Sequence, residues 1–208
     1  MNRLRQMAAL AAAVCCSLAQ AAPGATSADG RWRVEGLDRT VVVRDGDRTV
    51  KTLPARSLSA ADSGRAVSML YLPRRRSFAI GFDAGLPELW ELSVDPDAPA
   101  VFDGLVHDYR MGEAVASPGF LGVRRTRLDA TVLSFVADAS NAYLLALASD
   151  GSLVLLNLDV RRAIARWAIA DADPDLAAAQ AVGSTIVVPD RRGTTPLVID
   201  VRAPALRR

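Results

Sequence analysis

Residues 141–161, with the sequence NAYLLALASDGSLVLLNLDVR, decide the fold class of this chain. Two apolar segments, residues 143–148 and 152–158, flank the dipeptide Asp150-Gly151. Short apolar runs joined by an Asp-Gly turn are typical of a β-hairpin. After a second turn, residues 163–169 have the composition of a third strand. The stretch therefore predicts an antiparallel meander.

The same arrangement recurs along the chain. Further strands are predicted at 39–44, 48–53, 68–72, 77–82, 89–94, 182–189 and 196–201. The units begin near Arg31, Ser68, Leu133 and Gln180, and meanders that repeat roughly every 40 residues are typical of β-propellers. We therefore predict an all-β, β-propeller-like fold of about four blades, although a β-sandwich would give similar strands. Residues 172–181 fit either a short helix or a long loop.

The N-terminus has the composition of a secretory signal. Arg3 and Arg5 precede an apolar run at residues 7–18, and Ala19-Gln20-Ala21 is the small-x-small pattern of a cleavage site. The run is shorter than the roughly 20 residues that a membrane-spanning helix needs. We predict that residues 1–21 are removed, and that residues 22–208 form one domain in the periplasm with no membrane span.

This cleavage would change the composition of the protein. Cys15 and Cys16 are the two cysteines of the chain and would leave with the signal, so no disulfide or thiolate metal site is expected. Loss of Arg3 and Arg5 would leave 23 basic and 23 acidic residues. This balance gives no support to nucleic-acid binding.

Residues 86–135 are rich in aromatic, turn and charged residues and hold the one histidine, His107. His107 could ligate the iron of a haem-like group, act as a general acid or base, or form a structural hydrogen bond in a loop. Arg110, Arg124, Arg125 and Arg127 form a second group, and arginine is suited to carboxylates. Because side chains alternate along a strand, Arg124 and Arg125 are expected to point to opposite faces.

The aromatic and acidic residues around these arginines have two interpretations. Trp90, Tyr109 and Phe120 could stack on a macrocycle or pack in the core. Glu88 and Glu91 flank Trp90 and are expected to be salt-bridge partners rather than catalytic acids.

Three segments within residues 85–167 resemble a known family: LPELWELSVDP at 86–96, GLVHDYRMGE at 104–113 and VRRTRLD at 123–129. They are similar to the cytochrome d1, or d1-haem, propeller family. This family contains periplasmic haem d1 biosynthesis proteins and the d1 domain of cytochrome cd1 nitrite reductase. The resemblance implies an eight-bladed propeller about twice as long as this chain, with haem d1 or a precursor bound across the mouth of the channel.

The resemblance also implies site residues. His107 would be the metal ligand, and Trp90, Tyr109, Arg110, Arg124 and Arg125 would contact the cofactor. Nitrite reduction is not expected, because an activity that needs two histidines cannot be carried over to a chain with one.

Two functions from different classes follow. The first is a periplasmic tetrapyrrole-binding protein of haem d1 biosynthesis, either a carrier or an enzyme of a late step, with periplasmic maturation factors or cytochromes as partners. The second is a degenerate propeller that serves as a protein-interaction scaffold without a cofactor. The short chain leaves three forms open: a half-propeller that forms a homodimer, a compact four-bladed ring, or a truncated relic.

Overall fold

The computed structural model describes residues 22–102, 116–169, 171–193 and 195–207. Within these residues the regular structure is entirely β, with four antiparallel four-stranded sheets and one two-stranded sheet. We call the four-stranded sheets blades 1 to 4 in chain order. The predicted all-β, propeller-like class is therefore confirmed.

Each blade is a meander in which neighbouring strands are joined by hydrogen bonds. Blade 1 contains β1 (Gly24–Thr26), β2 (Trp32–Leu37), β3 (Thr40–Asp45) and β4 (Arg48–Pro54). Blade 2 contains β5 (Ala66–Leu72), β6 (Ser77–Phe82), β7 (Glu88–Ser93) and β10 (Val123–Arg127). Blade 3 contains β11 (Val132–Ala137), β12 (Tyr143–Ala148), β13 (Ser152–Asn157) and β14 (Arg162–Ala168). Blade 4 contains β15 (Gln180–Val182), β16 (Thr185–Val188), β17 (Leu197–Asp200) and β18 (Ala205–Arg207).

Blade 2 differs from the others because its third and fourth strands are not consecutive in the chain. Residues 94–122 separate β7 from β10 and include the two-stranded sheet of β8 (Val101–Phe102) and β9 (Ala116–Ser117). Leu92 of β7 is opposite Val123 of β10, so this long connection leaves and re-enters the blade at one end.

The predicted strands agree with the structure to within a residue or two in most blades. One prediction was wrong: residues 182–189 are not a single strand, because the chain turns at Gly183-Ser184 between β15 and β16. Gly183 has a φ of 59°, a left-handed conformation that glycine adopts without steric cost. For residues 172–181, the loop alternative is the correct one up to Gln180, where β15 begins.

Successive blades are held together by three apolar clusters. The first joins blades 1 and 2 and includes Val34, Phe78 and Trp90. The second joins blades 2 and 3 through side chains such as Leu89 and Leu144. The third lies between blades 3 and 4.

Blades 1 and 4 are not linked in this way, since no such cluster joins them within the described residues. The three clusters therefore stack the blades in chain order, blade 1 on blade 2, blade 2 on blade 3 and blade 3 on blade 4.

Candidate functional site

A cavity of about 550 Å³ opens between blades 2 and 3 at the end of the sheets where residues 94–122 emerge. We call this end the cavity face. The walls come from the β5–β6 turn, the β7 end, the connection after β7, β10 and the β13–β14 turn. The charged lining residues are Arg74, Arg75, Arg124, Arg161, Glu91, Asp95 and Asp159.

The three carboxylates among the described lining residues all have arginine partners. Glu91 is paired with Arg75 and Arg124, and Asp159 is also paired with Arg75. Asp95 is paired with Arg76, which lies just outside the lining, at 2.9 Å. The described part of the cavity wall therefore has four arginines and three carboxylates, and the carboxylates are all engaged in ion pairs.

Arg75 is the central residue of this network. Its Nε and Nη2 donate to the two carboxylate oxygens of Glu91 at 2.6 and 3.1 Å, and its Nη1 donates to Asp159 Oδ1 at 2.7 Å. Burial lowers the pKa of Arg75, but hydrogen bonds and charge interactions with Glu91 and Asp159 outweigh it, so the pKa is raised above the ordinary value. Arg75 therefore remains a cation and links blade 2 to blade 3.

The strand β10 places adjacent arginines on opposite faces of blade 2. Arg124 is opposite Glu91 in the sheet and lines the cavity, and its Nη1 donates to Glu91 at 3.4 Å. Arg125 is opposite Trp90 and lies over its ring at 4.2 Å from the centroid. This confirms the alternation expected from the sequence.

Trp90 and Arg125 lie away from the cavity. The Trp90 ring is fully buried, packs against Phe82 and donates from Nε1 to Glu88 at 2.7 Å. Arg125 donates to Glu88 at 3.1 Å and to the backbone carbonyl of Arg56 at 2.8 Å. The ion pairs expected for Glu88 and Glu91 are thus confirmed, while Trp90 has the core environment that was the alternative to cofactor stacking.

His107, Tyr109 and Arg110 lie outside the described residues, and their proposed roles stay predictions. The chain on either side of them is described: Phe102 is opposite Ala116 where β8 and β9 pair. Val101 and Phe102 also line the cavity. The segment that contains His107 is therefore attached to the chain at the wall of this cavity.

The cavity face also exposes apolar side chains. Phe102 is 55% exposed and Val160, in the β13–β14 turn, is 54% exposed. Phe120 is partly exposed and makes an edge-to-face contact with Trp32 of blade 1, at 5.8 Å between centroids. Arginines and exposed apolar groups lie together here, which suits a ligand with both an apolar body and anionic groups.

A smaller cavity of about 310 Å³ lies next to the first on the same face. Its walls come from turns of blades 2, 3 and 4, and they include Arg74, Ser140, Ser184 and Arg202. Arg74 lines both cavities, and its backbone N–H donates to Asn141 Oδ1 of blade 3 at 3.0 Å. Arg74 therefore stands between the two cavities.

Sequence reasoning missed Arg74, Arg75, Asp159 and Arg161 as site residues. The available signals were the arginine run at 74–76 in the β5–β6 turn and the charged β13–β14 turn at 159–162. Each resembles an ordinary solvent-exposed turn when it is read alone. Only the stacking of blade 3 on blade 2 brings the two turns together.

Two classes of feature are not found among the described residues. They contain no group of three or more histidine, cysteine, aspartate or glutamate side chains suited to a metal ion. They also contain no candidate for a membrane-spanning helix.

No protein-family model matches the chain, and no curated protein matches it. Solved structures do share its fold. Dihydro-haem d1 dehydrogenase NirN in complex with DHE is similar, with a TM-score of 0.58 and 21% identity over 87% of this chain. Apo AztD from Citrobacter koseri is similar with a TM-score of 0.56 and 11% identity over 90% of this chain.

The chain spans 38% of the length of the NirN chain and 45% of that of AztD. At these identities the likeness concerns the fold, so the chain has the fold of part of a larger propeller protein.

Proposed function

We propose that this chain binds a tetrapyrrole, haem d1 or its precursor, as a carrier or late-step factor of haem d1 biosynthesis. The observation that carries the proposal is the arginine-lined cavity whose wall includes Phe102, the last described residue before the segment containing His107. The fold likeness to NirN, whose structure is a complex with DHE, supports the same ligand class.

The described residues fit such a ligand. The cavity volume of about 550 Å³ lies within the range of small-molecule and cofactor sites, roughly 300–1,000 Å³. Arg74, Arg124 and Arg161 would bind peripheral carboxylates, for which the guanidinium fork is the preferred partner. Phe102 would contact the apolar edge of the ring.

Three further roles in this proposal belong to residues outside the described ranges. His107 would ligate the metal, for which neutral imidazole is a common ligand. Tyr109 and Arg110 would contact the macrocycle. When bound, the group would supply redox and ligand-exchange chemistry at its iron, while the protein would hold and orient it.

The proposal includes the cellular setting predicted from the N-terminus. The mature protein would work in the periplasm and would exchange its ligand with haem d1 maturation proteins or cytochromes. Edman sequencing of the protein recovered from a periplasmic fraction would test the cleavage, with Ala22 expected as the first residue. Recovery in the cytoplasm with Met1 intact would contradict this part of the proposal.

An absorbance titration of the purified protein with haem d1 and its dihydro precursor tests the binding proposal. We expect a saturable spectral shift that weakens or changes in His107→Ala, because the imidazole would no longer ligate the iron. No shift with either ligand from a folded protein would contradict the proposal and favour the interaction scaffold.

Arg124 and Arg125 provide a matched pair for the same titration. Arg124→Gln removes a cation from the cavity wall, whereas Arg125→Gln removes one from the opposite face of the same strand. We expect binding to be weaker by about tenfold or more for Arg124→Gln, since a charge-assisted hydrogen bond contributes about 1.5–3 kcal/mol. Arg125→Gln should bind as the wild type does; equal effects of the two substitutions would contradict the placement of the ligand.

The homodimer remains a prediction of the half-propeller form. Each of blades 1 and 4 has one sheet face that no other blade covers within the described residues. Pairing of two chains through these end faces would add blades to the ring. Multi-angle light scattering tests this form directly, because a monomer at all concentrations would exclude it.

A further inference from the structure

The two carboxylates bound to Arg75 differ in how firmly they are held. Glu91 is buried and accepts hydrogen bonds from Arg75, Arg124 and Ser77. The Asp159 side chain is 60% exposed and has Arg75 as its partner among the described residues. Glu91 is therefore fixed in the network, and Asp159 is its exchangeable member.

The position of Asp159 does not depend on its own carboxylate. Asn157 Oδ1 accepts hydrogen bonds from the backbone N–H groups of Asp159 and Val160, at 2.9 and 3.2 Å. The β13–β14 turn is thus held by Asn157, and the Asp159 side chain can leave Arg75 without loss of the turn. Exposed ion pairs of this kind contribute little to stability.

We propose that Asp159 is an internal competitor that occupies a carboxylate-binding position of the cavity. A ligand carboxylate displaces the Asp159 carboxylate from Arg75 Nη1 and takes over its hydrogen bond, while Glu91 keeps the opposite edge of the guanidinium in place. Asp159 then determines which ligands bind, because only an anionic group that binds Arg75 about as strongly as the Asp159 carboxylate does can replace it. The inference rests on the proposed function of this cavity, and it assigns the ligand class as polycarboxylates.

The test compares two substitutions with the same charge change in the same cavity. Asp159→Asn removes the competitor at Arg75. Asp95→Asn is the control, because Asp95 also lines the cavity but is paired with Arg76. Neither side chain is buried, so both variants should fold, and thermal unfolding of each checks this.

Binding is measured with coproporphyrin, a tetrapyrrole with four carboxylates, by fluorescence titration, and with citrate by calorimetry. We expect Asp159→Asn to bind coproporphyrin about fivefold more tightly than the wild type, the factor that corresponds to one exposed ion pair. Asp95→Asn should change the affinity less than twofold. The tetramethyl ester of coproporphyrin, which lacks the carboxylates, should not distinguish the variants.

The results separate this inference from the proposed function. If citrate binds more tightly to Asp159→Asn but no porphyrin binds, the competitor role holds and the tetrapyrrole proposal fails. If coproporphyrin binds and the two variants have equal affinities, the effect is general electrostatics and the competitor role fails. If neither probe binds to any variant, both are overturned.

Discussion

The second strands of blades 1 and 2 show how an end blade differs from an interior blade. In blade 2, β6 (SFAIGF) is buried at every position. In blade 1, β2 (WRVEGL) alternates, with Trp32, Val34 and Gly36 buried and the residues between them exposed or half-buried. A sheet covered on both faces needs apolar residues at successive positions, whereas one covered on a single face needs them at alternate positions.

The same difference separates blade 3 from blade 4. The strand β13 (SLVLLN) of blade 3 is buried at its first five positions, whereas buried and half-buried residues alternate along β16 and β17 of blade 4.

The outer face of blade 1 has charged residues. There Glu35 forms ion pairs with Arg33 and Arg44 at 3.0 and 3.1 Å. Stacked repeats commonly end in units with a polar outer face. The cavity lies between the two interior blades.

The largest expected effect is on the free energy of unfolding. It compares the truncation of a core side chain in an interior blade with a truncation on the outer face of an end blade. Leu144→Ala, in blade 3, removes a fully buried side chain between blades 2 and 3 and should lower the free energy of unfolding by about 2–5 kcal/mol. Val198→Ala, on the outer face of blade 4, should cost less than about 1 kcal/mol, because that side chain is already partly exposed. Urea unfolding measures both. Equal losses would show that the outer face of blade 4 is covered, as in a dimer.

A second contrast concerns ion pairs. Glu91→Gln leaves Arg75 and Arg124 without their shared carboxylate in a buried setting, and we expect a loss of about 3 kcal/mol. Glu35→Gln removes the equivalent group from the half-buried network on the outer face of blade 1 and should cost about 1 kcal/mol or less. Chemical denaturation at low and high salt checks this, because only the Glu35 effect should fade as salt increases. A salt-sensitive Glu91 effect would argue against its burial.

The smallest expected effect is on the pH dependence of stability and concerns two hairpin turns. Here the interior blade and the end blade should behave alike. A hydrogen bond from the Ser152 side chain is the main cause that lowers the pKa of Asp150 below its ordinary 3.8, and backbone hydrogen bonds from Arg202 and Ala203 lower that of Asp200. Because both pKa values are lower in the folded state, their contribution is present above about pH 4 and is lost as pH falls through the folded values.

Asp150→Asn and Asp200→Asn should therefore each flatten the loss of stability below pH 4 to a small and similar extent. Thermal unfolding at a series of pH values between 2 and 6 measures this. A steeper loss in either variant than in the wild type would contradict the assigned direction of the pKa.

The sequence predicted the local structure well because local structure depends on neighbouring residues. The Asp150-Gly151 turn, the strand Tyr143–Ala148 and the opposite directions of Arg124 and Arg125 all follow from spacing of one to a few residues. The failure at Gly183 has a related cause. Gly183-Ser184 is itself a hairpin signal, but the three residues of β15 before it are too few to stand out as a strand, so one strand was predicted where a hairpin exists.

The candidate site could be predicted only in part. Arg124 was identified from its segment, and the structure places it at the cavity. Trp90 and Arg125 were grouped with it by proximity in sequence, but they lie on the other face of the same sheet. No pattern of local spacing joins Arg75 to Asp159, which is 84 positions away.

The sequence by itself determined that this chain is a series of β-meanders, because alternation and turn residues act over a few positions. It also determined which side chains share a face of a strand. Only the tertiary structure decided which blade faces are covered and that the turns of blades 2 and 3 meet around a cavity. These features depend on how whole sheets stack, and stacking is set by apolar contacts between residues far apart in the chain.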